Sequence, residues 1–223
     1  MMLAFPPPLS GMLKKRGQQM SPASRIALVA AVAIAPVFAL ATPAAAAPIA
    51  YKCEATTPIG KVSASLNQEV TATAPATVAA GGDVAVVVDP APNKVPAKVG
   101  NYTLKEVKNF ALKVPVPANS TYVSSSVSGG SGVGEATVTH ENGTLVLRLS
   151  GTLAGGADFE LPTLTVTLKA GSSGTIESKL GGTSFADPGL TFTATAQTIL
   201  GAIDAPTACY PDPNPALTTT TIG

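Results

Sequence analysis

The alternation of apolar and polar residues constrains the fold of this chain more than any other feature of its sequence. Short runs with a period of two recur after residue 50, and each run ends at Gly, Pro, Asn or Asp. A period of two is typical of a strand with one buried face, because successive side chains point to opposite sides of a sheet. No comparable helical period is present. The runs predict eleven strands: "YKCEAT", "KVSASL", "EVTATA", "DVAVVVD", "YTLKEVKNFALKV", "TYVSSSV", "EATVTHE", "TLVLRLS", "TLTVTLKA", "TIESKL" and "LTFTATAQTI".

The strongest local signal is a hairpin in "EATVTHENGTLVLRLSG". Asn142-Gly143 suits a type I′ turn, because both central residues of that turn have positive φ. The turn pairs Glu141 with Thr144 and His140 with Leu145. One face of the hairpin is then almost wholly apolar, with Ala136, Val138, Leu145, Leu147 and Leu149 and with His140 at its end. The other is suited to water, with Thr137, Thr139, Val146 and Arg148.

Two further runs predict buried faces. The inward residues are Leu164, Val166 and Leu168 in one run, and Phe110, Leu112, Val114 and Val116 in the other. Pro115 lacks an N–H donor, so its run is an edge strand or ends there. Three irregular segments predict exposed connections: "DPAPNKVPAKVGN", "SGGSGVG" and "DAPTACYPDPNPALTTTTIG". Many short strands between turns predict an all-β fold of two packed antiparallel sheets, with a closed β-barrel as the alternative.

The N-terminus predicts export. An apolar run, "IALVAAVAIAPVFALA", follows the basic residues Lys14, Lys15, Arg16 and Arg25. The run is shorter than the roughly twenty residues of a membrane span, and Ala44 and Ala46 form a small-residue cleavage site. We therefore expect a signal peptide at 1–46, with Met12 and Met20 as other possible starts and a retained anchor as the alternative. A single domain at 47–210 and a Pro/Thr-rich tail at 211–223 would follow, with no transmembrane segment.

Charge and cysteine content narrow the function. Removing the leader leaves ten basic and thirteen acidic residues, a net charge near −3, which opposes nonspecific nucleic-acid binding. The basic residues around Lys98 and Lys105 are interleaved with acids, which is typical of a solvated face.

In an exported protein, Cys53 and Cys209 predict a disulfide. Closing a loop of roughly 155 residues would contribute on the order of 5 kcal/mol.

No group of residues predicts catalysis. His140 is the sole histidine, and no G-x-S-x-G or S-x-x-K motif is present. We expect His140 to cap a strand end rather than act as a base. Asp158 and Glu160 face the same way, as a glycosidase pair would, but exposed loop acids are the simpler interpretation. A calcium site would need loops to converge from Asp83, Asp89, Asp187 and Asp204, and no EF-hand spacing supports it. We predict no catalytic residue, no metal and no cofactor.

Sugar binding has little support, because Trp is absent and the four tyrosines, Tyr51, Tyr102, Tyr122 and Tyr210, are scattered. We expect Tyr210 to pack beside the disulfide.

The stretches "APIAYKCEATTPIGKV" and "ACYPDPNPALTTTTIG", which follow an Ala-rich leader and end the chain, resemble secreted two-cysteine β-sandwich proteins of actinobacteria. The resemblance implies an immunoglobulin-like domain that is extracellular or associated with the envelope, and it transfers no site residues. Our first hypothesis is a non-catalytic secreted protein that binds or associates with an unidentified envelope component. The second is a carrier for an apolar ligand held between the sheets, and the third is a hydrolase of envelope lipid or polysaccharide.

Overall fold

The computed structural model of the protein describes residues 46–199 and 201–223, which form strands, turns and loops. Within this part of the chain no helix is long and apolar enough to cross a membrane. The predicted signal peptide at 1–46 lies outside this description, except for Ala46. The strands are β1 (Ala47–Thr57), β2 (Gly60–Thr73), β3 (Thr77–Val78), β4 (Asp83–Pro90), β5 (Asn93–Lys94), β6 (Lys98–Val99), β7 (Tyr102–Pro115), β8 (Ser120–Ser128), β9 (Ala136–Glu141), β10 (Thr144–Leu149), β11 (Leu153–Ala154), β12 (Asp158–Phe159), β13 (Thr163–Ala170), β14 (Gly174–Ser178), β15 (Leu190–Thr198), β16 (Gly201–Pro211) and β17 (Thr218–Ile222).

A 12-stranded sheet forms the body of the fold. Its strands pair in the order β8-β13-β4-β2-β1-β16-β15-β7-β10-β9, and β6 and β11 also pair with β7. Two smaller sheets consist of β12 with β5 and of β14-β17-β3. Every pair is antiparallel except the short pair of β17 with β3. The predicted all-β antiparallel class is therefore confirmed.

The large sheet curls until its two edge strands, β8 and β9, lie side by side. These strands share no backbone ladder. Instead, Tyr122 of β8 stacks on His140 of β9, with ring centroids 4.2 Å apart and planes inclined by 25°. The result is a nearly closed barrel, which fits the alternative that we expected and is consistent with a β-sandwich whose two walls face each other.

Aliphatic side chains meet across the inner face of the sheet. Leu164 lies opposite Val88 and Leu168 lies opposite Val84 in the β13–β4 ladder, and all four are buried. The predicted inward residues of β7 pack in the same cluster: Phe110, Leu112, Val114 and, just beyond the strand, Val116. β7 ends at Pro115, as its missing donor predicts. Burying each of these larger side chains stabilises the fold by about 1.5–3 kcal/mol.

The predicted hairpin is confirmed in register. Glu141 pairs with Thr144 and His140 with Leu145, and φ is 49° at Asn142 and 76° at Gly143. One expected position differs, because Val146 is buried. Its partner across the ladder is Lys113, and the loop after β14 packs there. The Gly181 N–H donates to the Lys113 carbonyl at 2.9 Å, so this loop shields part of the outer face.

The structure departs from the sequence-based strand assignments in several places. The segment "DPAPNKVPAKVGN", expected to be an exposed connection, contains β5, β6 and the buried Val95, and "SGGSGVG" contains the buried Val133. "KVSASL" and "EVTATA" form one continuous strand, β2. The C-terminal segment, expected to be irregular, contains β16 and β17. Pro206 lies one residue beyond the last β1–β16 pair, Ala55 with Thr207, and Pro211 ends the strand, so neither proline interrupts the ladder with β1. In the β15–β16 ladder Pro206 lies opposite Thr193. Residues 218–222, assigned to an exposed tail, pair with β14 and β3 and bury Thr220 and Ile222.

Candidate functional site

The nearly closed barrel contains a cavity of about 1180 Å³. Its walls are the inner faces of five neighbouring strands, β2, β1, β16, β15 and β7. The ribbon of β5 and β12, with its adjoining loops, contributes to the remaining side. Most of the lining is aliphatic or aromatic, and its larger members include Val62, Leu66, Leu104, Phe110, Phe192 and Ile203. The cavity is therefore suited to an apolar occupant.

Small side chains at inward positions leave this space open. The alanines that line the cavity are Ala55, Ala64, Ala194, Ala196 and Ala205. The width of a barrel depends on its strand number and tilt rather than on its side chains, so small residues leave its middle unfilled. The burial patterns agree with this account. Inner residues of β4 and β13 are fully buried, whereas those in the first ten residues of β2 are only half buried.

The cavity reaches the surface at one end of the barrel, where three turns lie together. The β1–β2, β6–β7 and β15–β16 turns share this end because their strands are antiparallel neighbours. Each turn presents a large apolar side chain that also lines the cavity: Ile59 is 86% exposed, Tyr102 38% and Ile199 102%. We call these three turns the rim.

The side of the cavity is bounded by the edge of β2. This strand pairs with β4 only from Val70 onward. Just before that point, the segment after β4 runs alongside. The Ala91 N–H donates to the Glu69 carbonyl at 2.9 Å, and Asn93 Nδ2 donates to the Asn67 carbonyl at 2.8 Å. From residue 60 to residue 66 this edge of β2 pairs with none of the described strands, so the barrel wall is incomplete near the rim.

Tyr51 brings one polar group to the inner part of the cavity. Its side chain is buried and lines the cavity. Desolvation by burial raises the pKa of Tyr51 well above its ordinary value, so the phenol is neutral. None of the described residues forms a hydrogen bond with its hydroxyl. The hydroxyl oxygen is not one of the fully enclosed polar atoms that lack a partner. It keeps some accessible surface, and because Tyr51 lines the cavity, this hydroxyl is available to a molecule there.

The disulfide lies in the wall beside this space. Cys53 and Cys209 are bonded and are register partners in the β1–β16 ladder, with their Cα atoms 4.1 Å apart. Both are buried, and Cys53 lines the cavity. Tyr210, which we expected beside the disulfide, follows Cys209 and packs edge to face against Phe185, with centroids 5.1 Å apart. The bond therefore ties together two strands of the cavity wall.

The residues considered for catalysis are not brought together. His140 is exposed and stacks on Tyr122 at the barrel seam. Asp158 lies on β12, its side chain is 83% exposed, and it forms an ion pair with Lys94 at 3.0 Å. Glu160 exchanges two backbone hydrogen bonds with Ser131. Each of these groups has a separate structural setting.

The acids considered for calcium also have separate partners. Asp83 pairs with Lys169, Asp89 accepts from Thr163, Asp187 accepts from Thr183, and Asp204 accepts from Thr195 and pairs with Lys108. Among residues 46–199 and 201–223, no group of three or more Asp, Glu, His or Cys side chains could hold a metal ion.

The hydrogen bond from Thr195 and the nearby Lys108 ammonium lower the pKa of Asp204. This carboxylate therefore belongs to a polar cluster with Thr195 and Lys108 on the outside of the barrel.

Sequence reasoning anticipated an apolar space but did not locate it. Two signals were present. Inward positions of neighbouring strands are alanines, which cannot fill a wide barrel. Pro58-Ile59 and Ile199 place apolar side chains in turns, where polar residues are usual. Neither signal identifies a cavity until strand order shows that these residues lie around the same space.

Fold and site together define a disulfide-tied, nearly closed antiparallel β-barrel with an apolar cavity. No family model matches the sequence, and a search of curated proteins returns no match. Among solved structures, the chain is similar in fold to "Crystal structure of Putative membrane anchored protein from Corynebacterium diphtheriae", with a TM-score of 0.52 and 18% sequence identity. The match covers 80% of this chain but 38% of that one, so the present chain spans less than half of the length of that protein.

Proposed function

We propose that this protein is a non-catalytic carrier, secreted or associated with the cell envelope, that holds a lipid-like molecule in its barrel cavity. The observation that carries the proposal is the apolar lining of a cavity of about 1180 Å³. This volume lies slightly above the range of about 300–1,000 Å³ that holds drug-sized ligands. A molecule with long or multiple acyl chains fits both the volume and the lining.

The single buried phenol supports an amphiphile rather than a pure hydrocarbon. Tyr51 offers a neutral hydroxyl that no described residue satisfies. A ligand hydroxyl, ester or carboxyl group that reaches the inner cavity would complete this hydrogen bond. The apolar walls would hold the rest of the molecule, because burial of apolar surface supplies most of the binding free energy.

A location outside the cytoplasm is part of the proposal. A disulfide persists in an oxidising compartment, and Cys53–Cys209 is such a bond. The protein of similar fold is named as membrane anchored, and we extend an envelope association to this chain. The separate settings of His140, Asp158 and Glu160 favour binding over hydrolysis. Replacing all three together would leave any measured hydrolysis of envelope lipids unchanged under this proposal.

Native mass spectrometry of protein purified from its producing cells tests the proposal. The mass under native conditions should exceed the mass under denaturing conditions by that of a lipid. Ala64→Phe combined with Ala194→Phe should reduce the bound mass, because both alanines line the cavity. Ala202→Phe is the matched control, since Ala202 is exposed on the outside of β16 and should leave the bound mass unchanged.

A direct binding measurement completes the test. Protein stripped of lipid by organic extraction and refolded should bind a fluorescent fatty acid, and the double Phe variant should bind it more weakly. If the native protein carries no excess mass and the stripped protein binds no fatty acid, the carrier function is wrong.

A further inference from the structure

We propose that the rim docks on an anionic lipid bilayer and is the end through which the cavity exchanges its occupant. This inference rests on the proposed carrier function. It adds a partner, the membrane surface, and a direction of approach.

The exposed apolar side chains of the rim carry the first step. Ile59 and Ile199 are 86% and 102% exposed, and each lies in the turn that joins two antiparallel strands, β1 to β2 and β15 to β16. Isoleucine in a tight turn contributes nothing to the core, and a turn normally carries polar residues. Two such residues, with Tyr102 beside the same opening, form an apolar edge around the mouth of the apolar cavity. A partner that meets this edge meets the cavity directly.

The charge of the rim identifies the partner. The turn segments 57–61, 98–103 and 197–203 contain Lys61 and Lys98 and no Asp or Glu. Lys61 pairs with Glu54 at 2.7 Å, and Lys98 has no carboxylate within 4.0 Å among the described residues. Outside these segments, residues 47–223 carry thirteen acidic and eight basic residues, so a rim without acids favours an anionic surface over a cationic one. Apolar tips with adjacent lysines are the pattern of an interfacial membrane contact.

The wall of the barrel is consistent with exchange at this end. The unpaired edge of β2 at residues 60–66 begins at the Ile59 turn. When the rim touches a bilayer, this gap continues from the acyl region into the cavity. A lipid would then enter the cavity without passing through water, where exposure of its apolar surface is unfavourable.

Vesicle flotation tests the docking. The full-length protein would be mixed with vesicles of phosphatidylglycerol and phosphatidylcholine in equal amounts, and with phosphatidylcholine alone. We expect binding to the anionic vesicles that weakens with added salt. Ile59→Ser with Ile199→Ser should lower it by about a hundredfold, since each buried isoleucine contributes roughly one decade of partitioning. Lys98→Gln should lower it by about fivefold on anionic vesicles only.

Val123→Ser is the matched control. Val123 is 52% exposed on β8 and does not line the cavity, so this variant should bind vesicles as the unchanged protein does. All variants carry the same N-terminus, and the series is repeated with protein that lacks residues 1–46, because strong vesicle binding by the basic residues and the apolar run there would mask the rim. Equal flotation of the Ile59→Ser, Ile199→Ser variant and the unchanged protein in this second series would overturn the docking. So would a concentration-dependent dimer, measured by sedimentation, that this double variant abolishes.

Native mass spectrometry of the same variants separates the two proposals. The double Ser variant should retain its lipid mass but exchange it with vesicles more slowly than the control does. If the unchanged protein holds a lipid and does not bind vesicles, the docking is wrong and the carrier stands. If it binds vesicles through the rim and holds no lipid, the carrier is wrong and the docking stands.

Discussion

Breaking the Cys53–Cys209 bond should remove about 5 kcal/mol of stability. The two residues are 156 positions apart in the sequence. The entropy of closing a loop of that length in the unfolded chain gives about 5 kcal/mol at 25 °C. Domains of this kind have a total unfolding free energy of about 5–15 kcal/mol, so the loss is a large share of the whole. The native contacts of β1 with β16 remain, since the ladder on both sides of the bond is made of backbone hydrogen bonds.

Urea denaturation of three forms measures this effect. The oxidised protein is compared with protein unfolded and refolded in reductant, and with the Cys53→Ala, Cys209→Ala variant. The reduced form keeps both sulfur atoms, so its loss isolates the cross-link. The alanine variant adds a small packing loss at two buried positions. The dependence of the free energy on urea should also become steeper, because an open unfolded chain exposes more surface than a cross-linked one.

The loss of unfolding free energy in the reduced form tests whether the disulfide acts by restricting the unfolded chain. A drop below about 1 kcal/mol in the reduced form would refute the entropic estimate. It would mean that β1 and β16 stay close in the unfolded ensemble, and that the bond constrains little. An unchanged urea dependence in the reduced form would lead to the same conclusion.

Three other variants test separate features. Gly143→Ala should cost about 1 kcal/mol in a thermal melt, because φ there is 76° and the space around the new Cβ is open, so only the backbone is strained. Asp204→Asn should lower stability at neutral pH. Because the pKa of Asp204 is lowered in the folded protein, its contribution is complete above the ordinary carboxyl pKa of 3.8, so the difference should shrink as pH falls below 3.8 and vanish once pH has passed the lower pKa of the folded state. Tyr51→Phe should leave the fold unchanged and weaken an amphiphilic ligand by about 0.5–1.5 kcal/mol in a competition assay, while a pure hydrocarbon binds equally well.

The sequence predicted the β9–β10 hairpin at one end of the sheet order better than the central strand β16. Alternation and the Asn142-Gly143 turn were sufficient for the β9–β10 register, since both act within a few residues. β16 was missed because its two prolines and sparse large apolar residues resemble a loop. Only its neighbours show that Pro206 lies just past the ladder with β1. Strand assignment there depends on which backbone groups need partners, and this is a tertiary property.

The cavity shows the same limit. Alternation predicts which side chains face inward, but not whether opposite walls touch. Ala194 of β15 and Ala64 of β2 would each suit a tightly packed sandwich as well as a hollow barrel. The difference arises from strand order and curvature, which place β2 and β7 on two sides of one space. The proposed carrier function depends on the separation between these opposite walls, so it could not be derived from the residue pattern alone.

The half-buried inner face of β2 has a thermodynamic consequence. An occupant would supply the van der Waals contacts that the alanine-lined walls lack, so the loaded protein is the more stable form, by an amount that grows with ligand concentration. The melting temperature of the protein would then indicate whether a ligand is bound. Release of the lipid would leave a less tightly packed barrel. The disulfide between β1 and β16 would keep this empty barrel folded until it binds another lipid.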